Sequence, residues 1–483
     1  MELCGKVETK MKDEVSAALY CGAQADIWSS RRMHGYFGMA VSYIISGKLN
    51  TRLVACRRFS GSHTGENIAS LFVSLVEEFH LQNITTIVTD NAANIKKAFD
   101  NVHMTNVSEV DSDGNDDEGQ MERNGVQWGE IEEEFPFDVP QRYSCVAHSL
   151  QLVVNDGLKE GTDKIKTLVG KCKKVVSSLH MSCKATELLE KEAGRHIPAA
   201  NSTRWNSTYA MLEAIVKIEE SKPGLLSRVA AETGSTCSTV RFTAMDHAVL
   251  AEMCKLLNPI ADATTRLEAE GVPTSSMVIP VILGIQNKLA NVSTTYCTSL
   301  KTGLIVSFDK RLGDIRQDPH FITSAVLDPR FKMKWITGTV EEAQVKAVMA
   351  AKIESVQENN ETVAQTTQQQ QQQPNTSSAT GDDFFSFLDD NVHDVQDGDQ
   401  NEFEAYLADT TPLSALEFWY NKKMTYPHLY KLHLQHHCVP ATSAAMERHF
   451  SAAGYIINAR RSSLADASFE AMLVARCNKD MLD

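Results

Sequence analysis

The hydrophobic period of this chain changes along its length, and the order of the changes restricts the folds open to it. Leu19–Trp28, Gly35–Ile45 and Leu49–Phe59 are short runs rich in Val, Ile, Tyr and Phe, divided by turn-forming residues such as Ser46-Gly47-Lys48. Runs of that kind predict strands, here three in an antiparallel meander. Glu66–Leu81 then switches to helical spacing, with Ile68, Leu71, Phe72, Leu75, Val76 and Phe79 on one face. Ile84–Thr89 (ITTIVT) is largely apolar and β-branched, the pattern of a buried central strand, and Asn91–Phe99 reads as a helix after it. The order β-β-β-α-β-α is a meander followed by a crossover to a further strand. From Tyr143 to about Glu192, from Tyr209 to about Ile353, and again over Leu413–Asp483, the pattern is helical. Mixed α/β architecture with a long helical portion is therefore expected.

Two stretches break these patterns. Residues 104–140 contain SEVDSDGNDDEGQMERNG, and residues 357–409 contain six consecutive Gln followed by PNTSSATGDD. Neither composition supplies a core, so the first reads as an acidic loop and the second as a solvated linker. The second also holds DDFFSFLDD, which alternates acid and aromatic residues; a short docking peptide has that pattern, but the stretch reads first as part of the solvated linker. Charge follows the same division. The chain carries a formal net charge of −15, but residues 109–138 hold twelve acidic residues and 382–409 hold ten. Without them 40 acidic and 46 basic residues remain, a net of about +6, which is compatible with a nucleic-acid partner. The 11 cysteines are odd in number and scattered, which argues against a disulfide scaffold and for a reducing compartment. The charged start MELCGKVETKMKDEV is not a signal peptide, and no apolar run is long enough to span a bilayer, so no membrane partner is expected.

Asp26 lies in the first strand, in AQADIWSS, and Asp90 closes the fourth, in IVTDNAAN. A crossover that sets the fourth strand beside the first brings the two carboxylates to one edge of the sheet. Two carboxylates side by side need a cation between them or a raised pKa, and a divalent pair is how enzymes acting on phosphodiesters meet that need. Asp90 serves equally as a cap for the following helix, and Asp26 as an exposed strand residue.

The succession Asp26-Ile27-Trp28, TDNAANI at 89–95, Cys145-Val146-Ala147-His148 and Arg204-Trp205 resembles the hAT family of transposases. PATSAAMERHFSAAGYIINARRSSL at 440–464 is similar to that family's C-terminal dimerisation region, and FSGSHTGENIAS at 59–70 adds a likeness to zinc finger BED-type relatives. The resemblance implies an RNase H-like core interrupted by a large all-α insertion. It assigns residues 1–103 to the first part of the core, 104–140 to an acidic loop and 141–205 to a helical continuation with the C-x-x-H and Arg-Trp motifs. Residues 206–356 form the insertion, 357–409 the linker, and 410–483 the dimerisation region that completes the core.

The resemblance further implies an Asp-Asp-Glu triad at Asp26, Asp90 and Glu447. The triad would bind Mg²⁺ or Mn²⁺ for cleavage and strand transfer. Trp28, Arg204 and Trp205 would contact DNA. Cys145 and His148 have an open role: they are two of the four ligands a closed zinc site needs, no second pair stands out, and zinc is not expected. The 25 residues ahead of Asp26 hold only Cys4 and Cys21, so a BED finger is expected to be absent. Nuclear localisation and a homodimer or higher oligomer follow, with Phe418, Trp419, Tyr420, Tyr426, Leu429, Phe450, Tyr455 and Ile456 expected at the interface or in the core. The competing expectation is a catalytically silent, domesticated relative acting as a nuclear dimerising regulator or scaffold.

Overall fold

A computed structural model describes residues 2–30, 33–100, 140–201, 205–234, 240–361, 384–385, 402–457 and 464–482. Arg204 and most of both low-complexity stretches lie outside the described residues. The chain opens with α1 (Glu2–Ala17), then β1 (Cys21–Ser29), β2 (Gly35–Ile45), β3 (Lys48–Phe59), α2 (Gly65–Phe79), β4 (Ile84–Thr89), α3 (Ala93–Asp100) and β5 (Gln141–Ser144). The five strands form one mixed sheet in the order β3-β2-β1-β4-β5. β1, β2 and β3 are the expected antiparallel meander, and α2 carries the chain across so that β4 runs parallel to β1. α2 starts where the Thr64 hydroxyl accepts the Asn67 N–H, and it ends at His80 in the left-handed conformation.

A long series of helices follows: α4 (Val146–Glu160), α5 (Asp163–His180), α6 (Cys183–Ala193), α7 (Trp205–Ser221), α8 (Leu225–Glu232), α9 (Ala244–Leu267), α10 (Val278–Asn291), α11 (Thr298–Leu312), α12 (Pro319–Val326), α13 (Thr339–Glu361), α14 (Glu402–Ala408), α15 (Ala415–Lys422) and α16 (Pro427–His437). Local chemistry marks their starts. Thr243 and Asp246 form a capping box at α9, Ser414 and Glu417 form one at α15, and Asp318-Pro319 opens α12. The last two helices, α17 (Ala444–Ile456) and α18 (Asp466–Cys477), return to the sheet. Two cores result. One is purely helical and runs from Val146 to Ala441; the other packs α1, α2, α3, α17 and α18 around the sheet. A small cluster of Ile44, Val88, Cys145, Cys438 and Val439 lies where they meet. Among the described residues no helix is long and apolar enough to cross a membrane.

The structure departs from expectation in three places. Gln141–Ser144, at the start of the stretch read as helical, is a strand added parallel to β4, a pairing made by backbone groups that leaves no side-chain period. Residues 410–483 do not act as one body, because α15 and α16 join the helical core while α17 and α18 join the sheet. The stretch 357–409 is not all solvated linker: α13 runs to Glu361, α14 buries Tyr406 completely, and Phe384 is 2% exposed. Aromatic surface decides this, since burying a ring outweighs a polar neighbourhood. Of the eight apolar residues expected at the C-terminal interface or core, Phe418, Trp419, Tyr426, Leu429, Phe450 and Ile456 are buried within the chain, and only Tyr420 and Tyr455 are exposed.

Candidate functional site

β1 and β4 run in parallel register through Gln24 opposite Val88, so Asp26 and Asp90 each stand two residues farther along neighbouring strands. Asp90 Oδ1 accepts the Ala92 N–H at 3.2 Å, which turns the chain from β4 into α3. Arg142 on β5 fixes that turn: it donates to Thr89 Oγ1 at 2.9 Å, the Asp90 carbonyl at 2.8 Å and Asn91 Oδ1 at 3.2 Å. On the other side of β1, Asp26 is paired directly with Gly38 of β2. Cross-strand partners project to the same face, and at Gly38 that face is bare. A Cβ there would lie 2.3 Å from Met446 Cε and 2.7 Å from the Phe450 ring. α17 therefore comes down onto the sheet at the position opposite Asp26, bringing Glu447, next to Met446, with it. Gly22, four residues before Asp26 on the same face, repeats the device: a Cβ there would meet Val439 Cα at 2.9 Å and the Cys438 carbonyl at 3.0 Å.

The electrostatics reflect this convergence. Asp26 Oδ1 accepts its neighbour Ile27's N–H at 2.7 Å. Even so, burial first, then the Asp90 charge, and in smaller part Glu447, push the Asp26 carboxyl up to about 7. The Asp26 carboxyl thus lies in the field of the other two acidic residues. The three are not a finished cage: among the described residues no three His, Cys, Asp or Glu side chains are grouped so as to hold a metal.

Cys145 ties the neighbouring parts together. Its N–H donates to the Thr89 carbonyl at 2.7 Å, and its buried sulfur accepts the Ser443 N–H at 3.4 Å. Val146 N–H adds a bond to the Ala441 carbonyl at 3.1 Å. The end of β4, the start of α4 and the lead into α17 are joined at that thiol, which burial holds above its ordinary pKa. His148, one turn on, is half-buried. Trp28 is half-buried between Tyr36, at 5.5 Å between ring centres, and Phe450, stacked at 5.9 Å. Trp205 is 6% exposed in the helical core, 6.2 Å from Tyr209, and its indole N–H has no partner among the described residues. Arg448, next to Glu447, donates to the Glu268 carbonyl at 3.1 Å and pairs with Glu270, tethering α17 to the end of α9. Gly22, Gly38, Arg142 and Arg448 escape sequence reasoning. A lone glycine inside the apolar run GYFGMAVSYII is the one signal of close approach that the sequence offers.

Two family models match the chain: the ZBED1 RNase-like helical domain over residues 143–256, and the hAT family C-terminal dimerisation region over 395–478. The first spans Cys145, His148 and Trp205, and the second spans Glu447. Among curated proteins the chain is similar to human zinc finger BED domain-containing protein 4, 23% identical over 70% of this chain and 29% of that protein. It is 21% identical to a putative AC transposase of Zea mays, over 98% of this chain and 58% of the relative. It is also 22% identical to the zinc finger BED domain-containing protein DAYSLEEPER of Arabidopsis thaliana, over 93% and 62%. The chain thus spans less than two thirds of the length of each of these relatives.

Proposed function

From the premise that this chain carries the hAT family C-terminal dimerisation region and has BED zinc finger proteins and AC transposases as homologues, we propose that it is a dimerising, DNA-binding protein with an Asp-Asp-Glu site for phosphodiester cleavage and strand transfer. The observation that carries the reading is the common field at Asp26, where burial and the charges of Asp90 and Glu447 raise one carboxyl to about 7. An RNase H-like core would present its acidic residues in this way, with two on adjacent parallel strands and a third on a helix packed over them.

Carboxylate oxygen is the donor type that Mg²⁺ and Mn²⁺ take, and a raised carboxyl pKa marks a place where positive charge is wanted. Asp26, Asp90 and Glu447 would hold the ion, which supplies charge stabilisation for in-line displacement at phosphorus. The chain's own residues do the rest. Arg142 holds the β4–α3 turn so that Asp90 keeps its direction. Gly38 and the tether at Arg448 set the height and tilt of the helix that carries Glu447, and Gly22 admits the chain at Cys438-Val439 ahead of that helix. Trp28, stacked on Phe450 beside the carboxylates, offers an aromatic surface for an unstacked base. Arg204 would contact a phosphate, and Trp205, deep in the helical core, would meet DNA only if its ring swung outward. Function on DNA implies a nuclear location.

The alternative is a silent relative that keeps DNA binding and dimerisation. One assay separates the two. Plasmid DNA incubated with the purified chain and Mn²⁺ or Mg²⁺ is expected to be nicked or joined, and Asp26→Asn, Asp90→Asn and Glu447→Gln are each expected to abolish this. Activity that survives all three substitutions would refute the site. A folded dimer that binds DNA without cutting it would establish the silent relative.

A further inference from the structure

Phe384 and Phe385, which lie between α13 and α14 in the sequence, are seated in a recess on the helical core. Phe384 is 2% exposed. Its ring lies under two cations, with the Arg266 guanidinium 4.6 Å and the Lys288 ammonium 4.6 Å from its centre. Arg266 also lies 5.3 Å from the centre of Phe385, which packs edge-on against Phe331 at 5.0 Å. The floor of the recess is Gly284 of α10. A Cβ there would lie 2.8 Å from the Phe384 ring, and its three nearest neighbours would all be atoms of that ring. A bare helix position whose three nearest neighbours all belong to one ring, with two cations within 5 Å of that ring's centre, is a shaped receptacle for an aromatic ring. The sequence flanks the pair with Asp382, Asp383, Asp389 and Asp390, charge-complementary to Arg266 and Lys288.

We propose that the recess formed by Arg266, Gly284, Lys288 and Phe331 is a peptide receptor for an acidic di-phenylalanine segment, occupied in this chain by its own Phe384-Phe385. Hydrophobic burial and cation–π attraction supply the affinity, and the missing Cβ at position 284 supplies the selectivity. A segment of the same chain is presented at roughly millimolar effective concentration, so it fills the site against any free competitor of modest affinity. This proposal does not depend on DNA cleavage or on a metal.

The test uses the full chain and a fluorescein-labelled peptide of residues 381–389, GDDFFSFLD, followed by fluorescence anisotropy. The double variant Phe384→Ala/Phe385→Ala empties the recess and is expected to bind the peptide at least tenfold more tightly than the native chain does. Adding Gly284→Leu to that variant refills the floor and is expected to abolish binding, as is replacing both phenylalanines of the peptide by alanine. Equal binding by native and double-variant chains overturns the proposal, and so does no binding by a double variant with a native circular dichroism spectrum. If the double variant does not fold, hydrogen exchange in the otherwise native chain decides: Gly284→Leu must accelerate exchange at residues 384–385 at least tenfold, and unchanged exchange overturns the proposal.

Discussion

Asp26 carries a carboxyl held near 7 inside the fold, against about 3.9 in an unfolded chain. Between roughly pH 4 and pH 7 the folded state therefore keeps a proton that the unfolded state has lost, so stability falls as pH rises through that window and is lowest above it. The width of that window bounds the effect at ~4 kcal/mol. Asp26→Asn, which has no charge to bury, is expected to melt higher than the native chain near pH 8 and no differently near pH 4. Excess Mg²⁺ should raise the native melting temperature more near pH 8 than near pH 5, because the ion and the proton compete, and should leave Asp26→Asn unmoved. A native chain indifferent to Mg²⁺ at both pH values would count against an ion at these carboxylates. Both aspartates are legible in the sequence, on the condition, met in the structure, that the crossover sets β4 beside β1. Glu447 is legible only through the motif around it, and Gly38 hardly at all, since what it admits is a helix about 400 residues downstream.

α12 and α16 meet through four buried histidines, and their hydrogen bonds fix a proton arrangement. His437 Nε2 donates to the Ser324 carbonyl at 2.9 Å, so its Nδ1 is an acceptor and His433 Nδ1, 2.8 Å away, must donate. His436 and His320 share a second such proton at 2.9 Å between their Nδ1 atoms. A further proton on His437, or on whichever of His320 and His436 accepts, turns an acceptor into a second donor facing the first. Burial holds all four below their ordinary pKa, His320 down to about 3, and the Lys352 charge pushes His320 and His436 the same way. Asp328 pulls His437 in the opposite direction without reversing the shift. For a base with a depressed folded pKa, the unfolded chain takes up protons first as pH falls. The stability contribution is thus complete above about 6.5 and is lost progressively below it. Between pH 6.5 and pH 5, His320 alone should account for about 2 kcal/mol. Urea unfolding at several pH values is expected to show this loss in the native chain and a shallower one in His320→Asn. An identical pH slope in the variant would mean that His320 is not buried neutral. Element by element, the long periodic segments are the ones the sequence reveals. β5 is four residues too short to show a side-chain period, and α14 is hidden in an acidic stretch whose composition masks one buried tyrosine.

At the scale of the whole molecule, the chain passes from its helical core to its sheet over Ala441–Ser443, and the 395–478 dimerisation region straddles that passage. The division explains why the region's aromatic residues mislead when read from sequence. Apolar area suited to a subunit interface is equally suited to a core, and here two cores use most of it. Trp419 is completely buried and donates to the Leu327 carbonyl at 2.7 Å, so cutting it back to alanine should cost about 3–5 kcal/mol of folding stability. A dimer must form through what remains outside. In this region Met424 is 85% exposed and Tyr455 74%, apolar surface that neither core uses. Met424→Asp with Tyr455→Asp is therefore expected to shift the purified chain from dimer to monomer in light scattering, with an unchanged melting temperature. Trp419→Ala is expected to do the reverse, lowering the melting temperature before it affects the oligomeric state. If the paired aspartates leave the dimer intact, its contacts lie on other surfaces, and the family's dimerisation region acts in this chain mainly as the piece that closes two cores.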